Sequence, residues 1–366
     1  MADKIRVGIL FGGRSAEHEI SLLSAKNIID ALNREKYDIV LIGIDKKGQW
    51  RLNQDSLFLL DQNNPELIKL EKSDQEVVLP SGKGDNRLID LRDGQPVGPV
   101  DVVFPVLHGP YGEDGTIQGL LKLADIPFVG AGVLGSAVAM DKDVMKRLLR
   151  DAGIPTAKFL VTNNSRQNRI GFHDAGKILG LPLFVKPANL GSSIGISKVH
   201  DEKEFRKALE NAFSYDTKVL LEEAVNGREI ECSVLGNDDP IASLPGEVIT
   251  RAEFYSYEAK YIDENGAVLV VPAELDKDTI KNIQSMAIET FRVLCCEGMA
   301  RVDFFLGENN AIIVNEINTI PGFTRISMYP KLWEASGISY PELLERLIQL
   351  ALSRHEREKK LSTEHI

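Results

Sequence analysis

The sequence predicts a mixed chain of three successive units, α/β at the start and in the middle and α+β at the end. Three observations carry this. The first fifty residues read strand, helix, strand. Short apolar strands then alternate with helical stretches from residue 140 to about 229, and near residue 300 two alternating runs flank a turn, the pattern of an antiparallel hairpin. The units divide as 1–139, 140–229 and 230–366.

Ile5 to Phe11 is a continuous apolar run ending at Gly12-Gly13. Ile20, Leu23, Asn27, Ile28 and Ala31 keep helical spacing through Leu32, and Tyr37 to Ile44 forms the next strand. Such a βαβ opening implies a parallel sheet with ligands near the C-terminal ends of its strands. The turn Gly12-Gly13-Arg14-Ser15-Ala16-Glu17 is not G-x-G-x-x-G, which leaves a Rossmann oxidoreductase a weak competitor. Residues 51 to about 100 scatter Gln, Asn, Asp and Gly among short apolar pairs, as an insertion of short strands would. Val102 to Leu107 restores order and runs into His108-Gly-Pro-Tyr-Gly-Glu113-Asp-Gly115, a glycine-rich polar turn at a strand end.

In the second unit Asp141 is placed to cap a helix running through Arg150 and stopping at Gly153-Ile154-Pro155. Strands at 159–161, 183–185 and 218–222 alternate with helices at 173–179 and 201–213. The third unit has strands around 230–235 and 241–249, a polar loop near 251–267, a helix from 277, the hairpin and terminal helices.

The 366 residues suffice for two or three domains with substantial cores, and 43% hydrophobic with 27% charged residues is ordinary soluble composition. A formal charge of -11 with no Lys/Arg-rich run argues against a general nucleic-acid binder. Cys232, Cys295 and Cys296 form an odd set without metal spacing, which predicts reduced thiols. The N-terminus has no apolar signal core and no apolar run nears the ~20 residues of a membrane span, so a cytoplasmic location is expected.

The most informative chemistry lies in the hairpin. Met299 to Leu306 and Ala311 to Ile317 alternate, with Gly307-Glu-Asn-Asn310 as the turn. If Leu306 pairs with Ala311, Arg301 faces Glu316, and Arg301, Asp303, Glu316 and Asn318 share one face; a turn one residue different would separate the carboxylates. Carboxylate and amide oxygens without His or Cys suit a hard divalent cation that also takes phosphate oxygens. The same alternation also describes any half-exposed antiparallel hairpin. Lys186 ends a second apolar strand and leads into Pro187-Ala-Asn-Leu-Gly191-Ser192-Ser193-Ile-Gly195, a loop able to turn several N–H groups onto phosphate, or simply a surface turn. Val219 to Glu229 is a strand, a connector and a second strand start, which can offer backbone groups to an adenine edge and a carboxylate to a ribose, or simply expose two acidic residues at a strand end.

Taken together, these runs resemble the D-alanine–D-alanine ligases of the ATP-grasp superfamily over nearly the whole chain. The matching segments are Phe11 to Ser21, His108 to Gly115, Met140-Asp-Lys142, Lys186 to Gly195, Glu222 to Glu229, Tyr257-Glu-Ala-Lys260-Tyr261 and Arg301 to Ser327. The resemblance implies a three-domain ATP-grasp fold with an N-terminal doubly wound parallel sheet. ATP would lie between the middle and C-terminal domains, with the N-terminal domain closing over the amino-acid site.

The family's residue roles carry over as follows. Lys142 and Lys186 would neutralise the triphosphate, the amides around Ser192 and Ser193 would cover it, Glu222, Glu223 and Val225 would meet adenine, and Glu229 the ribose. Glu223 stands where some relatives carry lysine. Asp303, Glu316 and Asn318 would hold two Mg²⁺ ions, with Mn²⁺ a possible substitute. Glu17, beside His108, would pair with the first D-alanine's ammonium, although on sequence alone it also fits a first-turn carboxylate favouring the helix dipole. Arg301 and the Gly322 N–H would stabilise the oxyanion, while Ser327 and Lys260 would meet the second carboxylate and the γ-phosphate. Ser192, Tyr261 and Glu17 would tie the loops to the N-terminal domain, and Tyr261 favours an amine as second nucleophile. A homodimer is implied, acting on ATP and D-alanine for cell-wall precursor synthesis. A D-alanyl–D-X ligase is the runner-up; an ATP-binding module without chemistry would not need Arg301 and Gly322.

Overall fold

The computed structural model describes residues 4–53, 59–60, 68–70, 73–82, 87–164, 169–250 and 267–362. Lys260, Tyr261 and residues 251–266 of the expected polar loop therefore lie outside the described residues.

The chain opens with β1 (Ile5–Gly12), α1 (His18–Ala31), β2 (Tyr37–Ile44) and β3 (Trp50–Asn53). The insertion contributes five short strands: β4 (Leu59–Leu60), β5 (Lys69–Leu70), β6 (Val77–Val78), β7 (Arg87–Asp90) and β8 (Pro96–Pro99). With β9 (Val102–Val106) the first sheet runs β3-β2-β1-β9, parallel from β2 through β9 with an antiparallel edge at β3. Its strands are apolar on both faces because both faces are covered. Val7, Ile9, Phe11 and Phe104 pack on one side against Leu22, Ala25 and Ile28 of α1, whereas Leu10, Ile42 and Val103 meet Ile117 and Leu121 of α2 (Thr116–Leu123) on the other.

Next come α3 (Val133–Met140), α4 (Lys142–Asp151), β10 (Phe159–Asn163), α5 (Phe172–Leu179), β11 (Leu183–Pro187), β12 (Ser197–Val199), α6 (Glu202–Phe213) and β13 (Lys218–Glu223). Asp141 caps α4 by accepting from the N–H groups of Asp143 and Val144, both at 3.1 Å, a device worth about 1 kcal/mol. Helix and strand alternate in this stretch, yet its sheet is antiparallel throughout. β13 inserts between β10 and β11, giving the order β10-β13-β11-β12, so strands adjacent in sequence are not all adjacent in space.

The third sheet runs β17-β16-β14-β18-β19, built from β14 (Arg228–Gly236), β16 (Gly246–Thr250), β17 (Ala267–Val270), β18 (Gly298–Leu306) and β19 (Ile312–Asn318), with β15 (Ile241–Ala242) on β14. The strand expected over 241–249 is thus two, broken around Pro245, which has no N–H to donate. Helix α7 (Lys277–Val293) covers this sheet. Helices α8 (Met328–Ala335) and α9 (Tyr340–Glu358) return to the first core: Leu343, Leu344, Leu347 and Ile348 share one apolar cluster with β1 and β9. Each such side chain contributes roughly 1.5–3 kcal/mol on burial. The cysteines are thiols, two buried and Cys295 exposed. No helix among the described residues is long and apolar enough to cross a membrane.

Candidate active site

The hairpin turn is one residue longer than expected. A 3-10 turn at Glu308–Asn310, with Asn310 at φ 58°, makes Leu306 pair with Ile312 rather than Ala311. A regular ladder from there would send Glu316 and Asn318 to the core face. Asn315 prevents this as the extra residue of a β-bulge between Phe304 and Asp303, after which Asp303 pairs with Glu316 and Arg301 with Asn318. The four residues share one face as anticipated, in a different register. Val302, Phe304 and Ile317 face the core.

On that face Arg301 grips Asp303 with two hydrogen bonds of 2.7 Å, and Asn318 Nδ2 donates to the same carboxylate at 3.0 Å. Glu231 of β14, opposite Asp303, stands 2.9 Å from Arg301 Nε. Among the described residues no group of three or more His, Cys, Asp or Glu side chains could hold a metal. The donor set here is instead two carboxylates and an amide whose nitrogen is spent on Asp303, leaving its oxygen as the atom suited to a cation. That composition fits an oxygen-seeking divalent ion that completes its shell with phosphate and water.

Helix α4 and the glycine-rich loop form the facing wall. Lys142 Nζ donates to Leu190 O at 2.6 Å and stands 3.4 Å from Glu316 Oε2, linking loop to hairpin. Lys186, at the end of β11, bonds Glu222 of β13, whose second oxygen lies 2.8 Å from Lys146 Nζ. Burial opposes charge on Glu222, but the ammonium groups of Lys146 and Lys186 outweigh it and hold the carboxyl down to about 2. Glu223 Oε1 accepts from Lys158 N at 2.8 Å. Val225 and Glu229 are half-buried at and just beyond the connector. Ser192 and Ser193 sit at φ 50° and 59°, left-handed geometry that non-glycine residues adopt at a cost and that concentrates at functional sites. Asp216 fastens the loop by accepting from Asn189 N at 2.8 Å and Nδ2 at 3.0 Å.

The first sheet supplies the third side. Glu17 begins α1 but does not cap it with its side chain; its carboxylate accepts from Ser192 Oγ across the interface. The turn after β9 must pass close by, since a Cβ on Gly109 would lie 2.8 Å from Glu17 Oε2. Glu113 accepts from Gly109 N at 2.8 Å and Ile320 N at 3.1 Å. Burial, then the nearby Glu17 charge, pushes its carboxyl up to about 8. His108 Nδ1 donates to Ile320 O at 3.0 Å, and burial, against that bond but helped by Arg301, pushes the ring down to about 4. A neutral ring with its proton on Nδ1 accepts at Nε2 from Ser24 Oγ, 3.4 Å away, while Ser24 accepts from Phe323 N at 3.2 Å.

These bonds fix the Ile320–Phe323 turn, and Phe323 is itself buried edge-on to Phe104 with ring centres 5.7 Å apart. Gly322 is held against Ser327: a Cβ there would be 2.6 Å from Ser327 Oγ. Residues 6–131 match the family described as "D-ala D-ala ligase N-terminus", and residues 148–349 the one described as "D-ala D-ala ligase C-terminus". The D-alanine--D-alanine ligase of Shouchella clausii is 56% identical over 98% of both chains, and D-alanine--D-alanine ligase A of Escherichia coli K12 is 52% identical over 99% of both.

The chain belongs to the D-alanine–D-alanine ligase family.

The solved D-alanine-D-alanine ligase from Coxiella burnetii superposes with a TM-score of 0.84 at 40% identity, covering 98% of this chain and 97% of that one. The VanG D-Ala:D-Ser ligase from Enterococcus faecalis gives 0.81 at 35% identity, covering 95% and 100%. The fold of this ligase is thus the ATP-grasp fold. Its three walls meet in a narrow cleft lined by Glu113, Lys142, Leu190, Gly191, Glu316 and Asn318. The structure brings Glu17 and Ser192, Lys142 and Glu316, and Arg301 and Asp303 into contact, and Gly322 beside Ser327. Four participants escaped the sequence reading: Ser24, Lys146, Glu231 and, as a site residue, Glu113. Lys146 lies one helical turn from Lys142, a spacing that could have marked it.

Proposed function

We propose that the ligase joins two D-alanines to D-alanyl-D-alanine, a cell-wall precursor, with ATP cleaved to ADP and phosphate in the cytoplasm, and that it acts as a homodimer. The observation that carries this reading is the convergence of lysines, a serine-glycine loop and a carboxylate–amide hairpin on one cleft closed by Glu17. Lys142 and Lys186 take the phosphates, and the strained Ser192–Ser193 backbone turns its amides onto them. Glu222 is occupied between two lysines and Glu223 turns to Lys158, so adenine is met by the backbone around Glu223 and Val225, and the ribose by Glu229.

Asp303, Glu316 and Asn318 hold Mg²⁺, which offsets phosphate charge when bound. The carboxylate of the first D-alanine attacks the γ-phosphorus, giving an acyl phosphate and releasing ADP. Glu17 holds that substrate's ammonium, with neutral His108 shaping the subsite. The second D-alanine, its carboxylate on Ser327, attacks the acyl carbon through its amine, and Arg301 with the Gly322 N–H receives the negative charge of the tetrahedral oxyanion. Phosphate then leaves as the amide forms, and the surplus proton of the attacking nitrogen departs with it. The Glu17–Ser192 contact keeps the loop over the intermediate and excludes water. The family resemblance would add a γ-phosphate contact from Lys260 and a hydrogen bond from Tyr261, both of which lie outside the described residues.

The test is release of ADP and phosphate with Mg-ATP and D-alanine, compared with L-alanine, D-serine and D-lactate. D-alanine-dependent release with a D-alanyl-D-alanine product is expected; folded protein that gives none refutes the reading.

A further inference from the structure

Lys146 has no part in the scheme above, yet it is among the largest fully buried side chains of the protein, 1% exposed. It leaves α4 on the same face as Lys142, one turn further on. Its ammonium lies 2.8 Å from Glu222 Oε2, a contact of charge rather than of aligned hydrogen-bond geometry. Glu222 is equally buried, and its other oxygen receives Lys186 Nζ. One carboxylate is therefore shared by two ammonium groups, of which Lys186, 8% exposed, is the less buried. Burial, with the neighbouring Lys186 charge, holds the Lys146 ammonium below its ordinary range, and Glu222 opposes this only in part. A hydrophobic side chain would fill the same space without that desolvation penalty.

The charge count gives Lys146 a purpose. Lys186 and Glu222 alone make a neutral pair, and the carboxylate would cancel most of the lysine's field at a phosphate. With Lys146 protonated the three groups sum to +1. We propose that Lys146 is a positioning residue for nucleotide phosphate: it neutralises Glu222 from the buried side, so that Lys186 presents an uncompensated positive charge to the phosphates of a nucleoside triphosphate. The inference rests on the nucleotide reading of the cleft given above.

The test compares affinity for ATP with affinity for adenosine, which lacks phosphates, by displacement of a fluorescent ATP analogue from the full-length protein. Lys146→Met should lower the ratio of ATP to adenosine affinity about fifteenfold to thirtyfold, the effect of one unit charge acting over about 8–10 Å at an effective dielectric constant of about 20. Glu222→Gln should raise the ratio, and adding Glu222→Gln to Lys146→Met should restore it, which a packing defect at Lys146 would not allow. If Lys146→Met fails to fold, Glu222→Gln alone decides, and an unchanged or lowered ratio overturns the proposal. It is likewise overturned if Lys146→Met weakens both ligands equally or neither. A wild-type protein that binds no ATP would instead overturn the nucleotide reading itself.

Discussion

Replacing His108 with glutamine should remove a defined part of the ligase's sensitivity to acid. The ring is 5% exposed, donates from Nδ1 to Ile320 O and is pushed down to about 4, mainly by burial. In the unfolded chain it would titrate near 6.5. Between those values the unfolded state binds the extra proton and the folded state does not, so stability falls as pH drops from about 6.5 to 4 and the contribution is intact at pH 7. A separation of roughly 2.5 units at 1.36 kcal/mol each gives about 3 kcal/mol lost to this one group. Glutamine cannot titrate but can still donate to Ile320 O. Urea unfolding of wild type and His108→Gln, stepped from pH 7.5 to 4, should therefore give curves that converge by about 3 kcal/mol toward the acid end. Parallel curves would refute the argument, as would an NMR titration in which the His108 ring protonates near pH 6.5.

Glu113→Ala strips the acceptor from two buried N–H groups and should destabilise the fold by about 2–5 kcal/mol, with Glu113→Gln milder; urea midpoints measure both. Asp303→Asn should raise the divalent-ion concentration for half-maximal turnover at least about tenfold, while Arg301→Ala should mainly lower kcat, by roughly 100 to 1,000-fold. Steady-state assays with both variants within a few-fold of wild type would remove the hairpin from the chemistry. Gly322→Ala drives a methyl group to 2.6 Å from Ser327 Oγ, and losing the N–H alignment should lower kcat by at least about tenfold. Calorimetry should show its Tm little changed.

Most elements were legible because their signals are local. Tyr37 to Ile44 is a strand at both ends as read, and Asp141 caps α4 because a short carboxylate before a helical run reaches the first free N–H groups. Strand order in the middle sheet was not legible, since nothing within β13 says that it pairs with both β10 and β11. The hairpin divides the same way. Its alternation announced that Arg301, Asp303, Glu316 and Asn318 could share a face, but the turn length and the Asn315 bulge, each of which flips the strand by one residue, had to be seen together to know that they do.

For the site, the sequence determined the chemical types: lysines at a helix start and a strand end, a serine-glycine loop, two carboxylates with an amide, and an arginine. Whole-chain resemblance assigned them to one family. Only the tertiary structure decided the pairings, because each depends on distances between segments far apart in sequence, 175 residues for Ser192 and Glu17 and 299 for Phe323 and Ser24. It turned Glu17 from a possible helix-dipole partner into a contact across the cleft. It also placed Lys146 and Lys186 on one carboxylate, where the desolvated interior makes a single charge matter far more than it would at the surface.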